Sequence, residues 1–114
     1  MKKSPDFHDF ILYDLLGSKL DDITSRPMMS GWCVYASGVP FAAIMGNNFY
    51  VKTRDLKLVR ELEGYGSEKF SYRKKDGKTV AMNYWLIPED LLDNPEVVLE
   101  IVEKVISASA KPTE

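Results

Sequence analysis

Few side chains in this sequence carry chemistry of their own, and they are scattered. There is one histidine, His8, and one cysteine, Cys33. An imidazole titrates near neutrality and makes a general base, while a thiolate is a nucleophile where positive charge and exposure sustain it. His8 falls near the start of a helix that reads as exposed. Cys33 falls inside a strand, where a small buried hydrophobe is the plainer role. Their spacing leaves a Cys–His pair open, but no neighbouring residue recommends it. The carboxylates gather as Asp21-Asp22, Glu89-Asp90 and Asp93. General acid–base work needs one carboxylate held in an apolar pocket, whereas these read as loop, turn and helix-cap residues. A four-ligand zinc site needs denser clustering of Cys, His and carboxylates, and one cysteine forms no intrachain disulfide. Phosphate-cradling glycine loops, metalloprotease helix motifs and nucleophile elbows are all missing from the text. The expectation is no catalytic residue, no metal and no cofactor.

Binding chemistry is better represented. The run "YRKKDGK" sets Arg73, Lys74, Lys75 and Lys78 around a hairpin tip, with Lys69 upstream. A cationic ribbon can contact phosphates; the competing role is a charged tip that discourages edge-to-edge aggregation. With 15 basic and 17 acidic residues in 114, the chain carries a formal charge of −2 and demands no polyanionic partner. The charged tip is therefore the preferred reading, and direct nucleic-acid binding the alternative. Trp32, Tyr35, Tyr50, Tyr72, Tyr84 and Trp85 could stack on bases. Most are expected in the core, with one or two left to mark a protein interface, where Tyr and Trp concentrate.

The elements that would position these groups follow from periodicity. The length suits a single domain over 1–114, with a core from about residue 5 to 110. Ser4-Pro5-Asp6 has the cap, proline and acidic residue of a helix start. Phe7, Phe10, Ile11 and Leu15 then recur at helical spacing, widened by Leu12 and Leu16 and stopped at Gly17. Residues 32–36 form a strand, and Ser37-Gly38 turns a hairpin. That turn sets Ala36 against Val39, Tyr35 against Pro40, Val34 against Phe41 and Cys33 against Ala42. A turn at Gly46-Asn47-Asn48 returns the chain as residues 49–53, leaving Pro40 beyond the end of that third strand. A second helix over 53–64 presents Leu56, Val59 and Leu62, with Gly64 or Gly66 as its stop. A hairpin tipped by Asp76-Gly77 follows, and its returning strand is apolar on both faces, as a central strand would be. Pro88 ends it. Asp93-Asn94-Pro95-Glu96 starts a last helix with a Val98, Ile101, Val102, Val105 stripe and a Glu100–Lys104 pair. The order is helix, three strands, helix, two strands, helix. This is an α+β domain whose antiparallel sheet is covered by helices on at least one face. No run approaches the ~20 apolar residues of a membrane helix, nor does the start read as a signal peptide. A cytoplasmic protein with no membrane partner is expected.

From "ITSRPMMSGWCVYASGVPFAAIMGNNFYVKT" onward, the text resembles the N-terminal domain of the TfoX/Sxy family, bacterial regulators of competence genes. Arg26 and Met28 stand where that family has an arginine and the methionine of a Met-Phe-Gly-Gly motif, and Gly31 matches its last glycine. Tyr35, Gly38 and Phe41 follow in order, then Tyr50-Val51-Lys52, Gly66-Ser67-Glu68 with Phe70 and Tyr72, 80–84, and Pro88-Glu89. The likeness covers about residues 7 to 110. Met29-Ser30 replaces the family's Phe-Gly, and the second, helical domain of full-length members is not in the sequence. The resemblance implies an α-β(3)-α-β(2)-α fold similar to type III secretion chaperones, acting without catalysis through protein contacts. The implied partner is transcription machinery such as a cyclic-AMP-receptor-type activator. Arg26, Met28, Met29 and Lys52 are the candidate partner-contact residues. The competing role for Arg26 and Lys52 is to anchor the "PMMSG" loop. A homodimer is a further expectation, from the fold analogy and an open edge strand.

Overall fold

In the computed structural model, which describes residues 5–17, 20–28 and 31–110, the helical stripes and the strands separate into two layers. α1 starts at Pro5 and runs to Asp9, and the chain then widens into a π-helical segment, Phe10–Leu16. The Gly17 N–H donates to the Leu12 carbonyl at 2.9 Å, the five-residue step of a π turn. Ile11, Leu12, Leu15 and Leu16 are buried, while Phe10 stays 37% exposed at the rim of the stripe. The serine expected to cap this helix, Ser4, lies outside the described residues.

The sheet has six strands rather than the five expected. The additional one is β1, Ile23–Met28, which pairs antiparallel with β2, Gly31–Ala36, from Ile23 opposite Ala36 to Met28 opposite Gly31. β3 (Val39–Met45), β4 (Asn48–Lys52), β5 (Lys69–Arg73) and β6 (Thr79–Leu86) complete an antiparallel sheet in the order β1-β2-β3-β4-β6-β5. β6 is an interior strand, paired with β4 on one side and the edge strand β5 on the other, in keeping with its apolar character. At the β2–β3 turn, Ser37 (φ 49°) and Gly38 (φ 82°) both sit in the left-handed region, the two-residue type I′ geometry that suits strand twist.

Ala36 pairs with Val39 and Tyr35 with Pro40 as expected, but a bulge then shifts the register. Val34 faces Ala42 and Cys33 faces Ala43, instead of Phe41 and Ala42. The extra residue on β3 leaves Phe41 fully buried. The next turn is one residue tighter than expected, with Met45 opposite Asn48. Pro40 remains outside the β3–β4 ladder, which begins at Ala42.

α2, Leu56–Gly64, is capped by Asp55, whose carboxylate accepts from the N–H groups of Lys57 (2.9 Å) and Leu58 (3.2 Å). Its buried face is Leu58 and Leu62, an i, i+4 pair. Leu56, expected inside, is 73% exposed. The residues after β6, read as turn, make a short helix, α3 (Glu89–Leu92). α4, Pro95–Ala110, buries Val98, Ile101, Val102 and Val105 as its stripe demands. Lys104 reaches Glu61 of α2 at 3.2 Å rather than Glu100 on its own helix. These side chains meet Val34, Ile44, Phe49, Val51 and Trp85 from the sheet in one core. Full burial of such a Val, Leu, Ile or Phe stabilises by roughly 1.5–3 kcal/mol.

Candidate functional site

Successive strand residues point to opposite faces. With Trp32, Val34 and Ala36 turned to the helical core, Gly31, Cys33 and Tyr35 belong to the other face. The register carries this parity across the sheet, because Arg26 pairs with Cys33, Cys33 with Ala43, Ala43 with Tyr50 and Tyr50 with Leu86. Lys52, opposite Tyr84, lies two residues along β4 on the same side. Met28, Gly31, Met45 and Asn48 form the neighbouring row. Gly31 is required there: a Cβ would lie 1.9 Å from the Ile44 carbonyl oxygen, a backbone atom that cannot step aside.

Side-chain contacts tie this face together. Cys33 (8% exposed) neighbours the phenols of Tyr35 and Tyr84 and acts on the titration of both. The Arg26 guanidinium lies 5.8 Å from the centre of the Tyr35 ring, within cation–π range. Tyr50 meets Phe70 of β5 edge-on, with centroids 5.4 Å apart. The three phenols are held above their ordinary pKa. At Tyr35 the interaction with Cys33 is the leading cause; at Tyr50 and Tyr84 it is burial.

Of the candidate partner-contact residues, Arg26, Met28 and Lys52 therefore share one face, with β1 and β4 three strand spacings, about 15 Å, apart. Met29 lies outside the described residues. The basic candidates sit elsewhere. The Gly77 N–H donates to the Lys74 carbonyl (2.9 Å), the Lys74 N–H to the Lys78 carbonyl (2.8 Å), and the Lys78 N–H to the Asp76 carboxylate (3.0 Å). Asp76 is spent on the turn, and Lys74, Lys75 and Lys78 are exposed at the tip of the β5–β6 hairpin. Arg73 lies on β5 opposite Thr79.

His8 is not the exposed residue its position suggested. Its side chain is only 13% exposed. Nε2 is hydrogen-bonded to Ser25 Oγ at 2.8 Å, Nδ1 to Asp9 Oδ1 at 2.9 Å, and the ring packs against Trp32 at 4.4 Å, tilted by 39°. Trp32 and Cys33 are consecutive on β2, so the imidazole and the thiol are on opposite faces of the sheet and do not converge. Ser25, His8 and Asp9 have the connectivity of a proton relay. Their carboxylate, however, belongs to the exposed next residue in the chain, and the group joins α1 to the edge strand. A cleft of ≈ 700 Å³ is lined instead by Phe7, Asn47, Asn48, Leu86, Ile87, Glu89 and Leu92. Among the described residues no three His, Cys, Asp or Glu side chains gather as a metal-ligand set, and no helix is long and apolar enough to cross a membrane.

Sequence reasoning missed the Cys33–Tyr35–Tyr84 network and the His8–Ser25 contact. The alternation of Gly31, Cys33 and Tyr35 carried a signal for the first. The second joins residues 17 apart and had none.

The class is now defined: an α+β domain with helices on one side of an antiparallel sheet and a tyrosine- and methionine-bearing face on the other. Residues 14–109 match the family model of the TfoX N-terminal domain, and the chain belongs to that family of regulatory domains. Comparison with curated proteins finds no match.

Proposed function

We propose that the domain is a non-enzymatic regulatory module that works by binding another protein across the sheet face opposite its helices. The observation that supports this most is the meeting of Arg26, Met28 and Lys52 with Tyr35, Met45 and Tyr50 on that face. Aromatic side chains, Met and Arg are the residues enriched where proteins meet, and a rigid sheet holds them in fixed relation. The family resemblance supports transcription machinery as the partner.

The test is capture of host partners with the wild-type chain and with Arg26→Glu and Lys52→Glu. Charge reversal should abolish capture while the melting temperature moves by only a few degrees, since Arg26 is exposed and Lys52 half-buried and charges in contact with solvent contribute little to stability. A melting temperature that falls in step with binding would return both residues to a role in the fold. The second reading, phosphate contact by Lys74, Lys75 and Lys78, is supported by their exposure at the hairpin tip. It requires a mobility shift at low salt that weakens steeply as salt rises, and no shift at low salt would discard it.

A further inference from the structure

Resting on that reading, we infer that the occupant of the open face is an acidic segment of a partner protein carrying aliphatic or aromatic side chains, not a second copy of this chain. The chain as a whole is acidic, at −2, yet the charged side chains that register places on this face of the described strands are Arg26 and Lys52, both cationic. A carboxylate, Glu68, stands at the margin before β5, where its charge is felt at Tyr50. Two copies laid face to face would set these cations against a surface without matching acids, and like charges brought together at an interface act against association. An acidic partner meets them with opposite charge.

Between the cations lie the half-buried Tyr35, Met45 and Tyr50. Such surfaces take up aliphatic and aromatic side chains, so charge alone does not describe the occupant. A stretch in which carboxylates alternate with leucine or phenylalanine satisfies both demands, its acids about 15 Å apart for the Arg26 and Lys52 strands.

The experiment is a titration of the isotope-labelled full chain, followed by amide NMR shifts, with a synthetic twelve-residue peptide alternating glutamate with leucine and phenylalanine. Parallel titrations use the same peptide with lysine for glutamate, and a twelve-nucleotide single-stranded oligothymidine. The expected result is shifts centred on Arg26, Tyr35, Tyr50 and Lys52 with the acidic peptide. Affinity should weaken about tenfold or more in the Arg26→Glu/Lys52→Glu variant, the scale of two rim charges turned from attraction to repulsion. The spectrum of the free variant, unchanged away from those sites, establishes that it is folded. Equal or tighter binding of the lysine peptide at this face would overturn the acidic partner while leaving the face as a protein-binding surface. Tighter binding of the oligothymidine there would assign the face to nucleic acid. Self-association that broadens the same amides before any addition would assign it to a second copy, and no shift with any probe would overturn the inference. Failure of the face reading itself is read separately, as captured host partners that survive charge reversal.

Discussion

At the scale of single residues, the side chains that looked reactive are the ones the fold has put to structural use. His8 spans the gap between α1 and the edge strand through Ser25 and lies against Trp32, so its removal loses a hydrogen bond and an aromatic contact together. His8→Ala should cost roughly 1–2 kcal/mol, seen as a lower urea midpoint, and should alter the fluorescence of the neighbouring tryptophan. The same variant separates a fastener from a proton relay. A fluorophosphonate reagent should leave Ser25 unmodified in the wild type. Labelling of Ser25 that disappears in His8→Ala would assign catalysis instead. Cys33 is likewise occupied, between two phenols rather than beside an imidazole.

At the scale of elements, what could be foreseen depended on whether the determining signal was local. Ser37-Gly38 and Asp76-Gly77 specify their own backbone and were legible, as was α4, whose four-residue stripe repeats without interruption. β1 was not. Ile23–Met28 is an exposed edge strand interrupted by Pro27, with no apolar alternation, and it exists because β2 offers it a partner. The π segment was hidden for a different reason: Ile11, Leu12, Leu15 and Leu16 form a stripe that either helical winding accommodates. The bulge between β2 and β3 was also invisible, being set by how Phe41 reaches the core. Parity nevertheless let Arg26, Met28 and Lys52 fall on one face. In α2 the stripe was legible but its phase was not, because Asp55 fixes the first turn and rolls Leu56 outward. Two substitutions measure that phase. Leu62→Ala should cost roughly 2–5 kcal/mol, as buried leucines do, while Leu56→Ala should change stability by about 0.5 kcal/mol or less. Comparable losses from both in chemical denaturation would mean that the face is assigned incorrectly.

For the whole molecule, the sheet divides the labour: one face is packed with aliphatic side chains from the π-helical segment, α2 and α4, and the other carries hydroxyl-bearing rings. That asymmetry has a consequence in alkaline solution. Tyr50 and Tyr84 are raised above the usual phenol value of 10.0 chiefly by burial, and Tyr35 chiefly by its interaction with Cys33. In the folded protein these groups keep their protons to higher pH than in the unfolded chain. Above pH 10 the unfolded chain ionises first and is favoured. The stabilisation is therefore complete below the unfolded value and is lost as pH rises through the higher native one. The melting temperature should fall as pH climbs past 10, and tyrosinate absorbance should appear later in the native protein than in urea. A Tyr50→Phe/Tyr84→Phe variant should show a shallower fall. A melting temperature that rose through this range, or a variant whose alkaline profile matched the wild type, would mean that these phenols are as well solvated in the native state as in the unfolded one.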